Sequence, residues 1–365
     1  MKIAQIAPLY EAVPPKLYGG TERIVHYLTE ELVNQGHEVT LFASGDSVTQ
    51  ATLIANVETG LRLNDDCLDP IAHHIVQMQE VIERIKDFDI FHFHTDYLHF
   101  PFTAKLNIPC VTTLHGRLDL PDLQSVYNKF QNQNVISISY NQQKPLPQAN
   151  WVGNVYHGLP RDLHYMGDGD GNYFAFVGRV SPEKGLDKAI EIAIATENHL
   201  KIAAKIDKAD KKYYEDVIKP LLGHPLIEFI GEINEIQKTN FIGKAKALLF
   251  PINWEEPFGM VMIEAMACGT PVIAFKSGSV PEVIDEGKSG FIVSTVEQAI
   301  EAVNKLPQLN RKEVRHVFEK RFTAERMAND YLDIYASVIE DCKNEGSGQP
   351  HLKASYEGKP MKKVV

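Results

Sequence analysis

The sequence predicts an α/β protein built from two doubly wound units, and three observations carry this. Near the amino terminus, a strand at residues 2–7, a Pro- and Gly-rich loop, a helix at about 21–35 and a second strand at 37–43 follow one another. That is the β–loop–α–β order of a doubly wound sheet. The same order starts again at residues 173–177, after a break rich in Gly and Asp at 161–172. The chain has 365 residues, 44% of them hydrophobic, enough for two cores.

In the first unit Gly36 is the stop signal of the opening helix. A helix at about 70–86 and strands near 90–94, 110–114 and 135–138 continue the alternation. In the second unit strands follow near 200–204, 227–230, 247–250, 271–275 and 290–293, with helices between them. The wholly apolar run at 247–250 reads as a buried parallel strand. Pro257 then takes the first position of a helix over 258–268. A last helical pattern covers about 323–341. These elements predict a first domain at 1–165, a second at 172–322, a closing helix at about 323–342, and a Gly-, Lys- and Pro-rich tail at 343–365, loosely held.

Composition excludes several classes. The net charge of −11 argues against a nucleic-acid binder working through a basic face. The first domain carries 11 Lys and Arg against 18 Asp and Glu, which disfavours docking to anionic lipid. No apolar run reaches the length of a membrane span, and the opening residues read as a strand, not a signal peptide. Cys67, Cys110, Cys268 and Cys342 have no paired spacing, which fits a reducing, cytoplasmic compartment. The first loop lacks Gly-x-Gly-x-x-Gly, so the nicotinamide and flavin fingerprint is absent.

The stretch at 251–271, PINWEEPFGMVMIEAMACGTP, organises the rest. Glu264 is the one charge within the apolar helix, and a buried carboxylate is expensive unless paired. Glu256 precedes it by eight positions, roughly 12 Å along a helix axis. Between the two lie the first N–H groups of a helix, near Phe258 and Gly259, a ready anion site. A ligand with hydroxyls at both ends and a phosphate in the middle fits this spacing, as a nucleoside-diphosphate sugar does. On spacing alone the alternative stands equally well: Glu256 as a helix-start charge and Glu264 as a partly exposed helix residue.

Other clusters sit where such a cleft would lie. Tyr18, Gly19, Gly20, Thr21 and Glu22 form either a helix-entry turn or a close backbone approach to an anion. Arg179 and Lys184, in GRVSPEKG after the strand at 173–177, are two cations at a strand end, able to neutralise a diphosphate or simply to lie on the surface. His115 ends the strand at 110–114, with Arg117 and Asp119 on the following loop. His92, His94, Asp96 and His99 invite a zinc reading, but no third ligand is clearly placed. Asp168 and Asp170 read as a turn in the linker.

The segment EPFGMVMIEAMACGTPVIA, with its Glu-x7-Glu, resembles the donor-site signature of retaining glycosyltransferase family 4, the glycogen-synthase-like glycosyl transferases group 1 of GT-B fold. GG-x-E at Gly19, GR-x-S-x-EKG at Gly178 and T-L-H-G at Thr113 resemble the same family's motifs. The resemblance spans about residues 1–340 and is densest at 174–186 and 247–293. It implies two Rossmann-like domains facing each other across a cleft, with the last helix crossing back onto the first. It implies Glu256 on the sugar hydroxyls, Glu264 on the ribose, Arg179 and Lys184 on the diphosphate and His115 beside the sugar. The donor contacts it implies further are Gly19, Gly20, Phe258, Gly259 and Met260, with Ile230, Gly231 and Glu232 on the base. Ser277–Glu282, SGSVPE, resembles the turn below the donor. His94, Arg117 and Asp119 fall on the acceptor side. His157 departs from the Asn common in the family's interdomain stretch.

The reading that follows is a retaining, metal-independent transferase. It moves a sugar from a UDP-, GDP- or ADP-sugar to a soluble acceptor, a sugar, glycan or small metabolite, with no cofactor. A homo-oligomer is compatible with it; nucleic acid and strong membrane docking are not. Two alternatives stand beside it, a sugar-nucleotide epimerase of similar fold and a non-catalytic sugar-nucleotide-binding protein.

Overall fold

A computed structural model describes residues 1–16 and 19–346. The tail expected to be loosely held lies outside the described residues from 347 onward; its first residues, 343–346, belong to the last helix. Two parallel sheets form. The first has seven strands in the order β3-β2-β1-β4-β5-β6-β7. They are β1 Lys2–Ile6, β2 Glu38–Phe42, β3 Thr52–Ile54, β4 Ile90–Phe93, β5 Cys110–Thr113, β6 Asn134–Ser137 and β7 Asn150–Asn154. The second has six in the order β10-β9-β8-β11-β12-β13. These are β8 Tyr173–Arg179, β9 His199–Lys205, β10 Ile227–Gly231, β11 Ala247–Phe250, β12 Val272–Phe275 and β13 Gly290–Val293. In each sheet the order reverses beside the first strand, between β1 and β4 and between β8 and β11. Ligands of doubly wound sheets bind at such points, outside the carboxyl ends of the strands.

β3 and β7 were not expected. β3 is three residues long, too short to show a period, and β7, with the sequence NWVGN, is polar and only half-buried at the sheet edge. The helix Gly20–Asn34 packs Ile24, Leu28 and Leu32 inward at helical spacing. In the helix Pro70–Glu83 the Asp69 carboxylate accepts from the N–H groups of Ile71 and Ala72, and Pro70 fills the first position.

One expected boundary is wrong, and it matters for the site. The apolar helix does not begin at Pro257 or Phe258; it runs Met260–Ala267. Gly259 stands before it with φ 79°, a left-handed conformation suited to glycine. A Cβ at Gly259 would lie 2.7 Å from Met262 Cε, so a larger residue there would also press on the Met262 side chain. The first helical N–H groups are therefore those of Met260 and Val261.

The long helix Ala324–Gly346 leaves the second unit and returns to the first. Thr323 bridges to Leu159 as it departs. Farther along, Tyr331 and Tyr335 are fully buried against the first sheet: Tyr331 Oη lies 3.0 Å from Thr113 Oγ1 on β5, and Tyr335 Oη accepts from Gln5 Nε2 on β1 at 3.1 Å. A single apolar cluster runs from Ile3 and Val111 through Phe258 and Met262 to Tyr331 and Tyr335, so the two units share part of their core.

Candidate active site

A cavity of about 700 Å³ opens between the carboxyl ends of the two sheets. Loops after β1, β4 and β5 supply one wall, and loops after β8, β9, β10 and β11 supply the other. Glu256, Arg179, Lys184, His115, Gly19, Gly20, Phe258, Gly259, Met260, Glu264, Glu232 and His94 all line it. Tyr18 lies outside the described residues. Ile230 and Gly231 lie outside the wall, and Ile233 takes a place beside Glu232 instead. Arg117 and Asp119 are a correction. They are exposed, bind each other at 2.7 and 2.8 Å, and do not reach the cavity, because the chain turns outward after Gly116.

On the second unit, β8 ends in a turn at Pro182–Lys184 followed by Gly185 at φ 68°. A Cβ on Gly185 would fall 2.1 Å from the Pro251 carbonyl oxygen, so glycine lets this turn close on the loop after β11. Asn253 N–H donates to the Glu183 carbonyl at 2.8 Å and fixes the two loops together. Lys184 is thereby brought onto Glu256, with which it forms an ion pair. The same carboxylate oxygen accepts from Trp254 Nε1 at 3.0 Å, and the ammonium lies 4.9 Å from the Trp254 ring centre. Arg179 is held by Glu183, by Asp210 at 3.3 Å and by Asp207 at 3.8 Å. Both cations stand in the cavity wall with carboxylates already on them.

Glu264 is buried, as its apolar helix requires, and it is paired. Lys238 Nζ, from the helix Glu235–Lys244, donates to Glu264 Oε1 at 2.9 Å and lies 3.3 Å from Glu235 Oε2. Glu235 Oε2 is also 3.0 Å from Arg23 Nη1, on the first helix of the other unit. Desolvation pulls the Lys238 pKa down, but Glu264 and Glu235 outweigh it and raise the pKa above the ordinary value. Burial likewise works against the charged Glu235 carboxylate, yet His164, Lys238 and Arg23 bring its pKa down to about 2. His164, Glu235 and Glu264 are the one group of three ligand-type side chains, among the described residues, close enough to hold a metal ion. The Lys238 ammonium sits against both of its carboxylates.

On the first unit the histidines form a buried chain rather than a metal site. His92 bonds Tyr335 Oη at 2.6 Å and Thr113 Oγ1 at 2.7 Å, so both its ring nitrogens are engaged. Gln5 gives its amide N–H to Tyr335, which turns its carbonyl oxygen to His94 Nε2 at 2.8 Å. A carbonyl only accepts, so His94 Nε2 carries the proton. Burial, and then the neighbouring His92, His115 and His157, push the His94 pKa well down, so the ring is neutral and its Nδ1 is an acceptor. His115 Nε2, 2.9 Å away, must donate to it. Burial takes the His115 pKa down to about 3, which leaves its Nδ1 bare, shielded and without a partner among the described residues. His157, read from the sequence as a detail of the hinge, stacks on His115 with ring centres 5.3 Å apart and touches Phe258 across the units.

Sequence reasoning missed His157, Lys238, Glu235 and Arg23 as parts of this site. Lys238 and Glu264 are 26 positions apart on different helices, and no local pattern signals their pairing.

Two family models match the chain: that of Glycosyl transferases group 1 over residues 167–323 and that of Glycosyltransferase Family 4 over residues 18–151. An uncharacterized glycosyltransferase of Methanocaldococcus jannaschii, MJ1178, is 28% identical over 252 residues, 65% of this chain and 70% of that protein. N-acetyl-alpha-D-glucosaminyl L-malate synthase of Bacillus anthracis is 25% identical over 376 residues, 89% and 96% of the two chains. The solved structure of Anabaena HepE in complex with UDP and glucose superposes with a TM-score of 0.69 at 17% identity, covering 92% of this chain and all of that one, a likeness of fold.

Replacing Lys238 by Met leaves the Glu264 carboxylate buried without its partner. The variant should lose about 3–5 kcal/mol of unfolding free energy in urea titrations; a loss near zero would show that the chain of charges contributes nothing to the junction. A second measurement addresses the histidines: nitrogen-15 ring spectra of the wild-type protein at pH 7 should show His115 protonated on Nε2 and bare on Nδ1.

Proposed function

This chain is a family 4 type glycosyltransferase of GT-B fold, and we propose that it moves a sugar, with retention and without a metal ion, from a nucleoside-diphosphate sugar to a small soluble acceptor. The observation that carries this is the convergence in one cavity of Glu256, Lys184, Arg179, the start of the helix Met260–Ala267 and Glu264. Cations and helical N–H groups beside each other suit a diphosphate. The carboxylates on either side suit the hydroxyls of a sugar and a ribose.

The ion pairs give the binding an order. A diphosphate entering between Lys184 and Met260 takes the ammonium from Glu256. The Glu256 carboxylate, still held by Trp254, is then available to the sugar hydroxyls. Arg179 makes a like exchange from Asp207 and Asp210 as charge develops on the leaving group. In the transfer the bond from the anomeric carbon to the diphosphate oxygen breaks, and its electron pair leaves with the diphosphate. The acceptor oxygen bonds to the anomeric carbon on the same face, and its proton passes to the departing phosphate oxygen. Fixed cations and amide dipoles supply the stabilisation that a divalent ion gives elsewhere. Lys238 supports this reading, since its ammonium already neutralises the carboxylates nearest to forming a metal site.

Gly20 supports closure of the cleft around the donor. A Cβ there would lie 3.9 Å from Met260 Sδ, so the start of the first unit's opening helix already reaches the helix Met260–Ala267. HepE was solved with UDP and glucose, and the Bacillus relative is named for a malate conjugate, in keeping with a nucleotide-sugar donor and a small polar acceptor. No helix among the described residues is long and apolar enough to cross a membrane.

Thermal-shift titration with UDP, GDP, ADP and their glucose conjugates should raise the melting temperature with one base and its sugar. With that donor, Lys184→Ala should lower turnover by about 10²–10³-fold, the usual effect of losing one electrostatic stabiliser. Wild-type turnover in a folded Lys184→Ala protein would overturn the role given to the ammonium.

A further inference from the structure

The two carboxylate oxygens of Glu256 have different neighbours. Oε2 takes both protein donors, the Lys184 ammonium and, at 3.0 Å, the Trp254 indole N–H. Oε1 has no donor among the described residues, and the side chain lines the cavity. Trp254 is not part of the cavity wall. It stands behind the carboxylate, with its ring against the shared core, and reaches a ligand only through Glu256.

The backbone makes Trp254 a fixed support. Its carbonyl accepts from the Glu256 N–H at 2.8 Å and from Ser277 Oγ at 2.6 Å. The Glu256 carbonyl accepts in turn from the Ser279 N–H at 3.0 Å. Gly278, between the two serines, has φ 56°, and a Cβ there would fall 2.3 Å from the Glu256 nitrogen. The turn needs glycine to seat this closely. The segment read from the sequence as lying below the donor thus clamps the stretch that carries both side chains.

The two holds on Oε2 fare differently once a ligand enters. An anionic diphosphate draws the Lys184 ammonium, whereas the indole N–H is neutral and lies behind the wall. A carboxylate held by nothing turns freely about its last torsion, which is broad and two-fold, and can offer either oxygen to a hydroxyl. With the indole in place, Oε2 stays behind and Oε1 alone meets the ligand, at one position. A hydroxyl directed at that position bonds a charged acceptor; the same hydroxyl in the epimer points elsewhere and loses the bond.

We propose that Trp254 is a positioning residue that sets the sugar selectivity of the donor site: by anchoring Oε2 it fixes Oε1, and Oε1 distinguishes sugars by the configuration of one hydroxyl. The proposal rests on the transferase reading above and adds to it the source of its choice of sugar.

The test uses the full chain and calorimetry with UDP, GDP and ADP, and then with the glucose, galactose and mannose conjugates of the base that binds. Wild-type protein should bind one conjugate about tenfold or more tighter than another, the effect of one hydrogen bond to a charged group. Trp254→Phe keeps an aromatic ring beside Lys184 but removes the N–H. It should shrink the preference to about threefold or less and leave the Kd of the free diphosphate within about twofold. Glu256→Ala should erase the preference, and adding Trp254→Phe to it should change nothing further, because a residue that acts through another has no effect once the other is gone.

A second measurement needs no folded variant of Trp254. Trp151 and Trp254 are the two tryptophans of the chain, so wild-type protein shows two indole N–H resonances. The one that moves in Glu256→Ala should keep its place when the diphosphate binds. If the diphosphate shifts it to the Glu256→Ala position, the anchor is lost in the complex and the proposal falls. Unchanged preference in Trp254→Phe, loss of diphosphate binding along with it, or a further effect in the Glu256→Ala background each overturns the proposal. A wild-type protein that binds a diphosphate but treats its three sugars alike also overturns it, and leaves the transferase reading standing. One that binds none of the nucleotides brings both down.

Discussion

The site depends on one buried chain of charge, Glu264–Lys238–Glu235–Arg23. Glu264 belongs to the apolar helix whose start faces the cavity, and Arg23 belongs to the first helix of the opposite unit. A carboxylate in that apolar helix is tolerated only because Lys238 reaches it, and Lys238 is held by a second carboxylate whose other partner lies across the cleft. The chain therefore does two things at once. It pairs Glu264 in the cavity wall, and it ties the helix Met260–Ala267 through Lys238 and Glu235 to the first helix of the opposite unit. Further contacts across the units act the same way: Ser139 Oγ donates to the Pro257 carbonyl, and Glu282 accepts from the N–H groups of Tyr140 and Asn141. Buried ion pairs give modest net stability and strong geometric preference. A cleft that must align two substrates benefits from the second.

The cations in the donor wall show how an empty site is kept sound. Lys184 and Arg179 in isolation would repel each other and draw solvent anions. Instead each rests on carboxylates of its own unit, Lys184 on Glu256 and Arg179 on Glu183, Asp207 and Asp210. On the proposed reading, a diphosphate displaces these carboxylates, and binding exchanges one set of ion pairs for another. Trp254 makes the exchange productive. In the proposed exchange its indole N–H, which donates to Glu256 at 3.0 Å, is the contact that holds the carboxylate once the ammonium leaves.

Much of this was legible in the sequence, and the limits have physical causes. Every central strand could be read because parallel strands buried on both faces are continuous apolar runs, as ALLF of β11 is. β3 and β7 could not, being short or polar at the sheet edges. The two-unit order follows from the repeated β–α alternation, whereas the grouping of Glu256, Lys184, Arg179 and Glu264 was carried by the family resemblance, spacing alone leaving it open. The start of the apolar helix was misplaced because Pro257 is a strong start signal, whereas the left-handed turn at Gly259 is a backbone feature that apolar spacing does not show. Arg117 and Asp119 follow a cleft residue closely in sequence, but two positions suffice for a loop to turn outward and pair its own charges. The partners of buried charges, Lys238 for Glu264 and Gln5 for His94, are set by packing between distant elements and leave no local trace.

The closing helix explains why the histidines are arranged as they are. Had the chain ended after the second sheet, the face of the first sheet that holds Gln5, His92 and Thr113 would lie open to water, and each of those groups would bond solvent in any orientation. Tyr331 and Tyr335 cover that face and present hydroxyls to it. Once Gln5 must give its N–H to Tyr335, its carbonyl has no choice but to face His94, and the proton positions follow ring by ring to His115. A helix that starts in the second unit thus sets which nitrogen of a cleft residue is bare in the first. That coupling runs through fully buried groups, Tyr335, Gln5 and His94 among them. The return of the chain to its first domain is therefore more than a tether: it sets the hydrogen-bond direction of His94 and His115 in the cleft wall.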